Sequence, residues 1–222
     1  MASVEELVEI EERFRTIGYT EGLGRMWGFY PAVIRPASRL WPDVRANIRN
    51  AGRAAATFES GLTVLADQQQ ILVFRWHDTT ALQRIVEHRR NGTLLRTTYQ
   101  YQLTGPDGVP LTLAGGLADP QKWGREIQDG ITRARLPVAL QTVASGSALA
   151  FGPIEVNRRT VTAGGRSVPW SDVERIKVDK GEVSVRVAGK WLALIRTDVS
   201  RIPNFFVFYA LAEALRTSAG SG

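Results

Sequence analysis

Val168-Pro169-Trp170-Ser171-Asp172 follows Phe74-Arg75-Trp76-His77-Asp78 by 94 residues, counted from Trp to Trp. An Arg-Ile pair comes after each Trp-x-Asp, as Arg84-Ile85 and then Arg175-Ile176. A tight turn, two strand-like runs and a helix-like run follow in both places. The two stretches read as one structural unit used twice, which speaks to architecture and is silent on chemistry. In the run Ile71 to Asp78, strand alternation sets Leu72, Phe74, Trp76 and Asp78 on one face. Trp76 is therefore expected in a core, and Asp78 is expected to end its strand by bonding to the turn backbone. Trp170 and Asp172 are expected to do the same.

Outward from the first Trp, Leu82 to Arg89 reads as a strand, and Asn91-Gly92 is a strong hairpin signal because both residues tolerate positive φ. Leu95, Tyr99, Tyr101 and Leu103 then share a face, and Pro106-Asp107-Gly108 turns the chain into Pro110 to Ala114. Asp119-Pro120 opens a helix whose Trp123, Ile127 and Ile131 recur at intervals of four. Pro137 lies inside that pattern and predicts a kink near Arg133. In the second copy short strands are expected over 148–151, 154–157, 160–163, 166–170, 175–178 and 182–187. Another is expected from Trp191 to Arg196, and a closing helix from near Pro203.

Before the first copy, Val4, Leu7, Ile10 and Phe14 predict an amphipathic helix over 4–15, opened by a Ser3/Glu6 capping box. Gly24 to Pro31 reads as an aromatic loop. Pro42 starts a second predicted helix to about Asn50, with Arg45, Arg49 and Arg53 as a stripe along and just beyond it. With Trp27, Phe29, Tyr30 and Trp41 nearby, this is the residue pattern of an interfacial membrane anchor. The boundaries that follow are an N-terminal helical segment 1–57, repeats at 58–145 and 146–217, and a frayed tail 218–222.

Composition bounds the function. The 222 residues are 44% hydrophobic and 23% charged, as in ordinary globular proteins. There is no Cys, which removes disulfides, thiolate metal sites and a Cys nucleophile. Only two His are present, and neither sits in an HExxH spacing or near a nucleophile elbow. No P-loop or dinucleotide-binding fingerprint follows a strand, so no enzyme activity, metal or cofactor is expected. The 28 Lys and Arg exceed the 22 Asp and Glu, and residues 146–222 hold 11 against 7. Residues 1–12 are acidic where a secretory leader would be basic, and the apolar run 202–215 is too short to span a bilayer. The chain is expected in the cytoplasm, with peripheral membrane contact as its only membrane role.

Each copy, a run of six or seven antiparallel strands followed by one helix, resembles the pleckstrin-homology-like (PH-like) layout. The fold expected is thus α+β, two tandem PH-like antiparallel barrels or sandwiches, each closed by a C-terminal helix. Ala150-Phe151-Gly152-Pro153-Ile154, Pro169-Trp170-Ser171-Asp172-Val173, Pro203-Asn204 and the Pro137 stretch Arg133 to Leu140 resemble an actinobacterial family of unknown function with such repeats. The likeness covers about residues 58–216 and implies no activity. Lipid-binding PH-like domains carry basic residues between their first two strands. The turn matched to that position in the first copy is Asp67-Gln68-Gln69-Gln70, whereas Arg158, Arg159 and Arg166 surround its counterpart in the second. The function expected is a non-enzymatic binding or scaffold protein engaging a protein partner. Anionic membrane lipid, met through Arg45, Arg49, Arg53, Arg158, Arg159 and Arg166, is the alternative, and nucleic acid is disfavoured because interleaved aromatics are lacking.

Overall fold

The computed structural model describes residues 4–33, 54–66, 70–114 and 116–220. The expected helix from Pro42, with Trp41, Arg45, Arg49 and Arg53, lies outside these residues.

Helix α1 (Val4–Thr20) is followed by β1 (Met26–Pro31), β2 (Ala54–Phe58), β3 (Gly61–Leu65) and β4 (Ile71–Arg75). These four strands form one antiparallel sheet in the order β1-β2-β3-β4. Then come β5 (Thr80–Arg90), β6 (Thr93–Thr104) and β7 (Pro110–Ala114), in a three-stranded sheet, and helix α2 (Pro120–Ala144). The chain next repeats that order. Strands β8 (Leu149–Phe151), β9 (Ile154–Val156), β10 (Thr160–Ala163) and β11 (Arg166–Pro169) form a four-stranded sheet. Strands β12 (Val173–Asp179), β13 (Glu182–Val187) and β14 (Ile195–Asp198) form a three-stranded one, and helix α3 (Phe205–Gly220) ends the series. The fold mixes helices with several antiparallel sheets. It divides into two compact units, Met1–Thr80 with Thr98–Ile131, and Ala81–Thr97 with Thr132–Gly222.

The expected barrels are not present, because no described sheet closes on itself. A shared device stands at the end of each four-stranded sheet. The main-chain N–H of Trp76 donates to the Ser60 carbonyl at 3.0 Å, and its indole Nε1 donates to the Phe58 carbonyl at 3.0 Å. Trp170 does likewise, with its main-chain N–H to Arg159 at 3.0 Å and its indole to Asn157 at 2.9 Å. Each Trp thus clips two carbonyls two residues apart and ends the ladder of its four-stranded sheet. Both rings are buried, at 1% and 2% exposure, as alternation leads one to expect. The carboxylates differ from expectation. Asp78 meets the His77 imidazole at 3.0 Å, and Asp172 accepts from the Ser171 hydroxyl at 3.1 Å, so neighbouring side chains occupy groups that were expected to bond turn backbone.

Four further elements differ from the sequence reading. Gly24 to Pro31, expected as a loop, contains β1, which pairs with β2 from Met26↔Phe58 to Pro31↔Ala54. Every residue of β2 and β3 is buried, so β2 needs a partner on each edge. Helix α1 runs to Thr20 because Gly18 continues it where the ring of Phe58 leaves no room for a side chain; a Cβ there would lie 2.3 Å from Phe58 Cε1. Helix α2 runs unbroken from Pro120 to Ala144 with Pro137 inside it, where the sequence pattern reads two helical pieces; one missing N–H removes a single rung from a 25-residue helix. Helix α3 reaches Gly220, past the expected end at 217. The Asn91-Gly92 turn has φ of 51° and 81°, the geometry that its sequence predicts.

Within the first unit, Phe14, Leu23, Ala56 and Phe58 pack together, and Phe29 joins them edge-on to Phe14 at 5.9 Å. One polar cluster is embedded beside this core. Tyr30 Oη and Thr57 Oγ1 both donate to Glu126 Oε2 at 2.5 Å. Burial first, then the Glu126 carboxylate, pushes the Tyr30 phenol well above its ordinary range, and burial does the same for Tyr101. Raised phenol pKa values hold these groups neutral in the fold, while the unfolded chain ionises them near pH ~10. Their stabilisation is complete below that pH and is lost progressively as pH rises from it toward the folded value. Urea midpoints measured from neutral to strongly alkaline pH are expected to fall above about pH 10, and to fall less steeply for Tyr101→Phe.

Candidate functional site

The most distinctive surface is one end of the second unit, and Asn157 builds its first part. The Asn157 side-chain carbonyl accepts from the backbone N–H of Arg159 at 2.8 Å and of Thr160 at 2.9 Å, closing a turn that leaves Arg158 and Arg159 exposed. The Trp170 clip fastens this turn to the start of β12. The turn that Trp76 clips in the first unit, rather than the Asp67-Gln70 turn matched to it in the sequence, has Glu59 and Ser60 in place of these arginines, with Glu59 3.6 Å from Arg25.

Arg166 stands apart from that pair. It lies opposite Ala163 on β10, whereas Arg159 precedes Thr160 at the other end of the same strand. Four residues at ~3.3 Å each separate them by roughly 13 Å. The expected single turn with three arginines is thus two turns. A loop connects their surroundings. Residues 188–194 between β13 and β14 begin where the Ala188 N–H donates to the Asp172 carbonyl at 2.8 Å. They end where Arg166 Nη2 donates to the Leu194 carbonyl at 2.8 Å, and Leu194 N–H donates to Val185 at 2.8 Å. Both feet of the loop are tied, and Lys190, Trp191 and Leu192 stand at its tip. Trp191 is 85% exposed and Leu192 61%. The sequence pattern places a strand from Trp191; the ladder in fact starts at Ile195, leaving the Trp-Leu pair in solvent.

Strands β12 and β13 run into the same region. Their register sets Arg175 directly opposite Arg186, with exposed Glu174 at the bulge beside them. Like charges opposite each other on antiparallel strands destabilise the pair. Lys177 is matched by Asp179 at 3.1 Å and Arg196 by Glu182 at 3.1 Å, while the ion pairs found among the described residues leave Arg175 and Arg186 unmatched. Sequence reading missed this pair because only the register makes the two neighbours.

The other proposed residues are dispersed. Trp27 and Phe29 are half-buried in β1, and Tyr30 is buried with its hydroxyl on Glu126. Trp76 and Trp170 are core residues. With β1 as the first strand, the connection between the first two strands is residues 32–53, which holds Arg35, Arg39, Arg45, Arg49 and Arg53. No described helix is long and apolar enough to cross a membrane. Among the described residues no three His, Asp or Glu gather as a metal site.

Charge divides unevenly between the units. The second, Ala81–Thr97 with Thr132–Gly222, has 17 Lys and Arg against 8 Asp and Glu, a net of +9. The first has 11 against 14, a net of −3. No curated protein and no solved structure is matched by the chain. Residues 44–220 match the model of a family of unknown function, DUF6585, and the chain belongs to that family.

Proposed function

We propose that this protein is a non-enzymatic binding module that seats its second unit on an anionic membrane surface. The observation that carries this reading is the separation of +9 from −3 between the two units, a difference of 12 charges that the net +6 of the whole chain conceals. Attraction of basic groups to an anionic leaflet is worth about 1 kcal/mol for each Lys or Arg near it. The unmatched Arg175 and Arg186 and the exposed Arg158-Arg159 turn support the same assignment. The scaffold in this reading is a tandem PH-like pair. Its support is the repeated order of four strands, three strands and a helix, and the shared Trp clip.

Co-sedimentation of the full chain with phosphatidylcholine vesicles, with and without phosphatidylserine, tests the proposal. Binding is expected only with the anionic lipid, and should weaken as salt is raised because the Debye length shrinks from ~10 Å at 0.1 M. The double variant Arg158→Glu/Arg159→Glu is expected to weaken binding by at least about tenfold. Equal binding to neutral and anionic vesicles would overturn the assignment. So would failure to bind either, and that outcome would leave standing the protein-partner role expected from the sequence.

A further inference from the structure

We propose that the loop 188–194 is a membrane-inserting prong. Trp191 and Leu192 enter the boundary between headgroups and acyl chains of an anionic bilayer, while Lys190 and the arginines at the feet of the loop remain at phosphate level. This rests on the membrane reading above and names the element that makes apolar contact.

Three observations support it. First, the loop tip is apolar and exposed. A Trp at 85% and an adjacent Leu at 61% leave a large apolar area in water at a loop tip. Second, the loop is fastened at both feet. Ala188 is bonded to Asp172, Lys190 N–H to the Val187 carbonyl at 3.1 Å, and Leu194 to both Val185 and Arg166. Little conformational entropy is then lost when the tip enters another phase. Third, the charge surrounding the loop suits a phosphate layer. Lys190 is on the loop, Arg158 and Arg159 lie on the turn clipped by Trp170 at one foot, and Arg166 grips the other foot. Arg175 and Arg186 face each other near the strand ends, with Asp172 and Glu174 the acidic residues of the same stretch.

A bilayer fits this arrangement better than a folded partner because the tip is convex. An interfacial Trp in a protein complex needs a preformed pocket, whereas a lipid headgroup layer yields around a prong. Indole also favours the headgroup level, having an apolar body and one polar N–H. Arg166 has a definite part here. Its guanidinium is engaged by the Leu194 carbonyl, so it positions the prong as well as adding charge.

The test uses the full chain with vesicles of phosphatidylcholine and phosphatidylserine, some containing lipid with brominated acyl chains. Trp191→Ala and Leu192→Ala are expected to weaken vesicle partition by about tenfold or more each, with the salt dependence unchanged. Both side chains are in solvent, so the variants should keep the wild-type melting temperature. Brominated chains should quench the wild type more than Trp191→Phe, the difference being the contribution of Trp191. Wild-type partition by Trp191→Ala, or equal quenching of wild type and Trp191→Phe, would overturn the prong while leaving the membrane reading intact. Failure of the wild type to bind anionic vesicles would overturn both, and a vesicle-independent stoichiometric complex with a soluble protein, lost on Trp191→Ala, would assign the tip to a protein partner instead.

Discussion

Trp170→Ala is expected to lower stability by about 3 to 5 kcal/mol, the range for truncating a buried aromatic. The ring is 2% exposed, so nearly all its area is lost to the core. Its indole N–H also satisfies the Asn157 carbonyl at 2.9 Å, which the alanine variant leaves without that donor. Trp170→Phe separates the two contributions. It keeps most of the apolar volume and removes the indole N–H, for an expected loss of about 1 to 3 kcal/mol. Urea denaturation with the slope monitored gives both numbers, and a wild-type midpoint for Trp170→Ala would show that the ring does not hold the unit together. Because the clip also fixes the turn with Arg158 and Arg159, vesicle binding should weaken in Trp170→Ala at temperatures where the variant is still folded. Trp76→Ala should behave similarly in stability, its indole serving Phe58 in the same way, and should leave the second unit's binding surface in place.

The second large effect is expected at Gly152, in the turn between β8 and β9. Its φ is +60°, and a Cβ there would lie 2.3 Å from the carbonyl oxygen of Arg201 and 3.1 Å from Pro203 Cδ. The first obstacle is backbone, which cannot rotate away as a flexible side chain does. Gly152→Ala is expected to cost on the order of 3 kcal/mol, from left-handed strain plus displacement of the segment leading into α3. Gly164→Ala is the control. Its φ is +56° with nothing within 4 Å of the added carbon, so only the conformational cost of about 1 to 2 kcal/mol applies. If thermal or urea unfolding shows equal losses for both variants, strain decides and the close approach at Gly152 contributes nothing.

The residues that carried the sequence resemblance acquire physical roles in this way. Gly152 sits where the backbone of Arg201 passes. Asn204, with φ of +49°, accepts from Ala81 N–H through its side chain at 2.8 Å and donates its own N–H to the Ala81 carbonyl at 2.8 Å. Its carbonyl also receives Val207 and Phe208 at the start of α3. Few residues combine a left-handed backbone with a side-chain acceptor. The Pro203-Asn204 pair therefore reports a tertiary joint rather than a ligand.

By itself the sequence determined what depends on neighbours along the chain. The Asn91-Gly92 turn, the helix opening at Pro120, the buried alternation around Trp76 and the twofold use of the Trp unit all follow from local conformational preference and period. The tertiary structure decided what depends on partners distant in the chain. Strand β1 has no alternation to announce it and forms because buried β2 must fill its hydrogen bonds. Arg175 faces Arg186 through register alone. Arg166, a basic turn residue in the sequence, becomes the tie on a loop whose Trp191 and Leu192 were expected in a strand. The pairing of β14 with β13 begins at Ile195 and left those two residues outside the ladder, which is why the surface proposed for the membrane could not be read from residue order.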